Sequence, residues 1–288
     1  MATSDCKDAL FLKANAKVNL HLGIHPGRDG RGYHRADSVM IPLELGNDLT
    51  ISRADAPFVL FKPPLSVPVQ KSVVYRGVVA FEQAFTPGRS YRVSLDRKIP
   101  GSAGLGSSSA DAGAVLRALA QLNGVPTDDP QLVAIARSLG ADVAFFLQAS
   151  PALLSGAGDV LERAFPQVPM AIALVKPEAG VSTVEAYRAF DEDPIEPVAP
   201  DAMVSALESG DASAVAAALY NNLAPAAVAL APEIGECLAW LKEQDGVLGA
   251  QVTGSGSCSF AICENDDAAA RIAAQSPWWA CATRTLSA

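Results

Sequence analysis

Two periodicities organise the chain. From Asn15 to Ile24 every second residue is apolar (Ala16, Val18, Leu20, Leu22, Ile24), while Asn15, Lys17, Asn19 and His21 take the alternate positions. That period of two predicts a strand with one core face and one polar face. The polar face suits either an open sheet surface or a strand that lines a binding cleft. Tyr91-Arg-Val-Ser-Leu95 alternates in the same way and leads into Lys98-Ile-Pro-Gly-Ser-Ala-Gly-Leu-Gly-Ser-Ser-Ser109. Beyond it Val115, Leu116, Leu119 and Leu122 fall at helical spacing until Asn123-Gly124 and Pro126 end the run. The order is strand, glycine loop, helix. A second helix is expected from Asp129, its N-cap, through Pro130 in the first turn; it buries Leu132, Val133, Ala136 and Leu139, stops at Gly140 and delivers Asp142.

The second half of the chain starts near Pro151. It carries an expected strand at Ala171–Val175, and Ser182-Thr-Val-Glu185 has the form of a capping box opening a helix through Tyr187 and Phe190. Asp191–Pro200, rich in proline and acid, reads as an exposed connection, and helices follow through 202–207, 212–220 and 232–241. Two strand-like runs around a glycine turn, Ala250 to Ile262, close the pattern. Helices and strands mixed without regular βαβ repetition indicate an α+β fold, with domains expected over 1–150 and 151–288.

Composition supports two apolar cores, since 50% of the 288 residues are hydrophobic. No uncharged apolar run approaches the roughly 18 residues of a membrane span, and the N-terminus does not read as a signal peptide. The expectation is a soluble cytoplasmic protein. A formal net charge of −9 argues against a nucleic-acid duplex or an anionic membrane as partner. The distribution is uneven, however: residues 1–35 hold six Lys/Arg against three Asp, and residues 86–98 hold four against one. Basic stretches of this kind suit a small anionic substrate, and surface solubility produces the same asymmetry. Five cysteines without a CxxC pair fit a reducing compartment. His21 and His25 share an H-x3-H spacing, but in an alternating strand with no cysteine or carboxylate beside it zinc is not expected.

The glycine loop carries the clearest chemistry. Gly101-Ser-Ala-Gly-Leu-Gly106-Ser-Ser starts like a Walker A pattern but has Ser107 in place of the lysine, and Ser109 spoils a dinucleotide fingerprint. What remains is small residues that let backbone N–H groups approach an anion, followed by the positive end of a helix. Ser107, Ser108 and Ser109 add hydroxyls, one of which would reach a magnesium ion on bound phosphates. The plainer alternative is a serine-capped helix after a turn. Asp111, close behind, would repel phosphate if it pointed into the loop. Asp142 stands just before a strongly apolar run, Val143-Ala-Phe-Phe-Leu147, as a capping aspartate or as a buried carboxylate kept ionised by Lys17. Tyr33-His34, after a flexible basic turn, would stack on and hydrogen-bond to a nucleobase, or Tyr33 would pack on the core. Thr253-Gly-Ser-Gly-Ser257 offers further N–H groups to an anion, or only joins two strands.

Pro100-Gly101-Ser102-Ala103-Gly104-Leu105-Gly106-Ser107-Ser108-Ser109-Ala110 resembles the phosphate loop of the GHMP kinases, the family of galactose, homoserine, mevalonate and phosphomevalonate kinases. Ala16-Lys-Val-Asn-Leu20, Gly32-Tyr-His34, Leu139-Gly-Ala-Asp-Val-Ala-Phe-Phe146, Gly180-Val-Ser-Thr-Val-Glu-Ala-Tyr187, Asn222-Leu-Ala-Pro-Ala226 and Gly254-Ser-Gly-Ser257 follow that family's order, so the resemblance covers nearly the whole chain. It implies a two-domain architecture with the active site in the cleft between the domains. It implies an ATP- and Mg2+-dependent kinase acting on a small alcohol that carries a cytidine diphosphate group. By the same resemblance Asp142 is the catalytic base, Lys17 orients or polarises it, residues 100–110 line ATP, and Asn19, Tyr33 and His34 hold the substrate, the last two around cytosine. Another small alcohol (homoserine, mevalonate or a sugar), or a catalytically silent metabolite sensor on the same fold, are the competing readings. The chain departs from the family where serines and Ala103 replace loop glycines, where Lys71-Ser-Val-Val-Tyr-Arg76 replaces an Asp-Asn-Leu segment, and where the turn Arg28–Gly32 is longer.

Overall fold

The computed structural model describes residues 9–30 and 32–287. The elements, in order, are β1 (Leu10–Ile24), β2 (Ala36–Ala54), β3 (Phe58–Lys62), α1 (Val73–Phe85), β4 (Ser90–Asp96), α2 (Ser107–Asn123), α3 (Pro130–Leu139) and α4 (Ala141–Gln148). Then follow β5 (Ala152–Ser155), β6 (Val160–Ala164), β7 (Ala171–Lys176), α5 (Thr183–Glu192), α6 (Asp201–Ser209), α7 (Ala212–Ala217), β8 (Tyr220–Asn221) and α8 (Ala224–Leu230). The last are α9 (Glu233–Lys242), β9 (Val247–Val252), β10 (Ser259–Cys263), α10 (Asp266–Gln275) and β11 (Trp279–Arg284). Contacts divide the described residues into two compact units, one within 9–16, 46–99 and 107–149, the other within 17–30, 32–45, 100–106 and 150–287. Each unit is therefore discontinuous, and β1 and β2 contribute to both.

In the first unit the far end of β2 pairs antiparallel with β4, from Asp48 opposite Asp96 to Ala54 opposite Ser90, and β3 lies parallel to β4 on its other side. Strand β4 buries Tyr91, Val93 and Leu95 and turns Arg92 and Asp96 outward, as its alternation requires. Helices α1 to α4 pack on one another. Helix α4 lies close against α2 at Gly113, where a Cβ would come within 2.3 Å of the Phe146 side chain. Helix α3 begins as expected, with the Asp129 carboxylate accepting from the N–H groups of Gln131 and Leu132 and Pro130 in the first turn.

In the second unit, residues 38–40 of β2 pair with β5, β5 pairs with β6, and His21 and Leu22 of β1 pair in parallel with β8. A separate four-stranded antiparallel sheet runs β11-β7-β10-β9, with α9 and α10 packed against it. Mostly antiparallel sheets, with parallel pairs at β3–β4 and β1–β8, and helices packed against them make the fold α+β. Among the described residues no helix is long and apolar enough to cross a membrane.

Several local expectations change in three dimensions. The polar face of β1 is not open: Asn15, Lys17, Asn19 and His21 are all buried. The helix expected over 212–220 ends at Ala217, because Tyr220 and Asn221 are drawn into pairing with β1 and the Asn221 amide donates to the carbonyls of Val252 and Gly254. Ser182 stands at the N-cap of α5 but its side chain caps nothing; Thr183 Oγ1 instead meets Ser255 Oγ at 3.0 Å. His25 does have a carboxylate neighbour, Asp37, 2.6 Å from its Nε2. His21 is core, stacked on Tyr220 with ring centroids 5.0 Å apart, and burial lowers its pKa, which keeps it neutral. Among the described residues no group of three His, Cys, Asp or Glu is placed to hold a metal, and Cys237, Cys258, Cys263 and Cys281 are free thiols. Cys6 lies outside the described residues.

Candidate active site

The second unit gathers most of the residues singled out above around one turn. Thr253, fully buried, donates through Oγ1 to Asn19 Oδ1 (3.3 Å) and to the Gly104 carbonyl (3.2 Å), and accepts from the Asn19 N–H (3.1 Å). Lys17 Nζ donates to Asn19 Oδ1 at 2.6 Å, and Asn19 Nδ2 donates to Ser38 Oγ at 2.9 Å. The lysine is 3% exposed, so its ammonium group is held by this network rather than by water. Asn19, expected to touch substrate, has its side-chain oxygen against the Lys17 ammonium group.

The glycine loop is fixed by its carbonyls. Ser102 O accepts from the Ser257 N–H (3.4 Å), Ala103 O from Cys258 (3.3 Å), Gly104 O from Thr253, and Leu105 O from the Lys17 N–H (3.1 Å). Four consecutive acceptors are thereby satisfied by the protein. The N–H groups of 101–106 have no acceptor among the described residues. Ser102, Gly104 and Gly106 adopt positive φ (50°, 70° and 74°), and left-handed residues interleaved with others turn successive N–H groups toward a common centre. Only glycine fits at 104, since a Cβ there would lie 2.0 Å from the Thr253 carbonyl oxygen. The loop is thus a candidate anion cradle, its carbonyls held largely by the turn 253–257.

In the first unit, α2 starts directly after the loop, with Ser107 at its N-terminus. The Ser107 hydroxyl is buried and has no hydrogen-bond partner among the described residues. An orphaned hydroxyl at a helix start fits phosphate oxygens or a hard cation. Asp111 does not face the loop: its carboxylate is buried and accepts from Asn47 Nδ2 at 2.7 Å. Asp142 sits in the first turn of α4, which suits its charge to the helix dipole, and it is partly exposed.

The base-reading candidates form a separate cluster in the second unit. His34 is 6% exposed; its Nδ1, 3.0 Å from the His25 carbonyl, carries the proton and donates it. Its Nε2 lies 3.0 Å from Asp191 Oδ1 but without hydrogen-bond alignment. The rings of Tyr187 and Phe190 lie 5.3 and 5.9 Å from the imidazole. Tyr33, 57% exposed, does not pack on the core. Arg28 pairs with Asp191, fastening the loop to α5. Tyr187, Asp191, Ser38 and Asn47 were not singled out by sequence reasoning as site residues, because their partners lie far away along the chain. Thr253 was visible only as part of a glycine turn.

Sequence and structure comparisons relate the chain to known kinases. Residues 72–150 match the GHMP kinase N-terminal domain and 203–275 the GHMP kinase C-terminal domain. The 4-diphosphocytidyl-2-C-methyl-D-erythritol kinase of Desulfitobacterium hafniense is 38% identical over 91% of this chain and 89% of its own. That of Pelotomaculum thermopropionicum is 37% identical over 91% of this chain and 92% of its own. A crystal structure of 4-(cytidine 5'-diphospho)-2C-methyl-D-erythritol kinase superposes with a TM-score of 0.80 at 31% identity, covering 96% of this chain and all of that one. A homoserine kinase from Cytophaga hutchinsonii shares the fold, with a TM-score of 0.75 at 18% identity over 99% of this chain and 97% of its own.

Proposed function

The chain belongs to the GHMP kinase family, and from that premise we propose that it transfers the γ-phosphoryl group of ATP to the 2-hydroxyl of 4-diphosphocytidyl-2-C-methyl-D-erythritol. The glycine loop carries the phosphoryl-transfer half of this reading, with its carbonyls engaged by the protein and its N–H groups unclaimed. The acceptor half rests on the full-length relatives of that name.

In this reading the N–H groups of 101–106 and the start of α2 take the ATP phosphates. Phosphoryl transfer leaves little covalent work to the protein, so positioning and charge dominate. Asp142 accepts the hydroxyl proton as the oxygen attacks phosphorus, and ADP leaves. Lys17, aimed by Asn19, sets a fixed positive charge against the transferring group, and a network that holds it before substrate arrives costs no reorganisation during reaction. Tyr33 and His34 hold the cytosine by stacking and by hydrogen bonds to its edge. Magnesium fits as an ion carried in on the nucleotide, with Ser107 as a protein oxygen ligand. It would supply neutralisation of the phosphate charge.

The decisive assay offers ATP and Mg2+ with each acceptor in turn and measures ADP. Release with the cytidylyl acceptor alone is expected. Release with homoserine, mevalonate or galactose instead would move the reading there, and silence with all would end it. Asp142→Asn is expected to lower turnover by about 10²–10⁴-fold with ATP binding kept; near-normal turnover would remove Asp142 from its role.

A further inference from the structure

Strand β4 ends at Asp96, and the chain enters the glycine loop through Lys98, Ile99 and Pro100. Proline has no N–H, so the last two donors before the loop belong to Lys98 and Ile99. Both bonds go to one atom: Asn47 Oδ1, on fully buried Asn47 of β2, accepts from Lys98 N at 2.7 Å and Ile99 N at 2.9 Å. The other end of that amide donates to Asp111 Oδ1 at 2.7 Å, and Asp111 lies on α2, the helix into which the loop exits. One side chain thus ties the segment entering the loop to the helix leaving it.

Asp111 is a costly residue for this place. It is 2% exposed, and burial pushes its carboxyl up to about 6 against the opposing pull of the Asn47 hydrogen bond and, more weakly, the charge of Arg97. A neutral residue would avoid that penalty. An ionised carboxylate has one property that Asn, Ser and Thr lack, for it only accepts hydrogen bonds. Facing it, the Asn47 side chain has a single permitted orientation, with NH2 toward α2 and Oδ1 toward the paired N–H groups. A flipped amide would put oxygen against oxygen and leave the part-buried Lys98 N–H and the buried Ile99 N–H unmet.

We propose that Asp111, acting through Asn47, is a positioning residue that fixes the entry of the glycine loop and so sets nucleotide affinity. The inference rests on the reading of that loop as the ATP site.

The test exchanges the two groups. Asn47→Asp alone sets two carboxylates against each other and is expected to raise KM for ATP at least about tenfold, leaving KM for the acceptor unchanged. Combined with Asp111→Asn, the carboxylate sits on β2, where it accepts from both backbone donors, and the amide on α2 donates to it; KM for ATP should return to within about threefold of the starting value. Asp111→Ala, which removes the acceptor without adding charge, serves if Asn47→Asp does not fold, and is expected to raise KM for ATP by about fivefold or more. An ADP titration of the unaltered protein separates the two layers of argument. If that protein does not bind ADP, the nucleotide reading of the loop fails and the brace with it. If it binds and Asp111→Ala keeps the original KM, or the exchanged pair does no better than Asn47→Asp, the brace alone is overturned.

Discussion

Glycine stands in contrasting surroundings in the two candidate binding loops. Within residues 100–106, Gly104 is there for want of space, since a Cβ on it would overlap the Thr253 carbonyl, whereas Gly101 is uncrowded; four successive carbonyls are tied down by distant residues. In residues 26–33 a Cβ at Gly27, Gly30 or Gly32 would meet nothing within 4 Å. That loop is stitched mostly by its own residues: Asp29 N to Tyr33 O at 2.7 Å, Gly32 N to Asp29 O at 2.9 Å, and Tyr33 N to Asp29 Oδ1 at 3.0 Å. The first loop takes its shape from tertiary contacts and the second from local turns. A fixed cradle suits a phosphate chain of constant shape, and a locally held turn suits an aromatic side chain that meets its ligand at the surface.

The comparison breaks most readily at Gly104. Gly104→Ala adds a methyl group at 2.0 Å from a backbone oxygen, on a residue with φ of 70°. Overpacking and left-handed strain together cost several kcal/mol, so kcat/KM for ATP should fall at least about a hundredfold. An ADP titration alongside circular dichroism checks this, and a variant that binds nucleotide normally would show that the loop is not held as described.

The stem of the same loop yields a pH signature. Asp111 ionises near 3.8 when unfolded and at about 6 when buried. Below the lower value both states are protonated and no penalty exists; between the two, folding takes up a proton and stability falls as pH rises; above about 6 the penalty is constant. Asp111→Asn removes it. The variant's advantage in urea melts should be near zero at pH 3.5, grow through pH 6, and level off at up to about 3 kcal/mol. A difference independent of pH would mean that the carboxylate is solvated.

A smaller effect is expected in the second loop. His34 presents a buried ring flanked by Tyr187 and Phe190, and His34→Ala should raise KM for the cytidylyl acceptor by about tenfold to a hundredfold while KM for ATP stays put. A change in ATP affinity instead would place the base pocket elsewhere.

Local chemistry accounts for what was readable from the sequence. The limits of α2 and α3, the Asp129 cap and the alternation of β4 are set by neighbours within a few residues, so each could be read in isolation. The glycine loop stood out as a candidate anion site for the same reason. What escaped depends on residues far away along the chain. Asn47 is one asparagine in a strand, and nothing near it announces two backbone donors some fifty positions on. Lys17 and Asn19 alternate with apolar residues just as surface residues do, and only the packing of residues 253–257 against them makes that face buried. Tyr220 has helical neighbours but joins a strand because β1 offers an edge. Asp111 read as a hazard to phosphate because its partner was invisible.

The finest test of the contrast between the loops is a substitution that should do almost nothing. Gly30 has an unremarkable φ, and its added Cβ would meet no atom within 4 Å. Gly30→Ala therefore costs nothing in the folded state and narrows the freedom of the unfolded chain, which stabilises by about 0.4–1 kcal/mol where the backbone conformation is compatible. Both KM values should stay within about twofold of the original, and Tm should hold or rise slightly. Gly32, at φ of 84°, is equally uncrowded, so Gly32→Ala isolates backbone strain with no clash and should lower stability by about 1–2 kcal/mol. If Gly30→Ala instead raised KM for the cytidylyl acceptor about tenfold, that glycine would have to leave its present conformation when the base binds. The second loop would then be a moving part whose flexibility is used, rather than a turn that merely happens to have room.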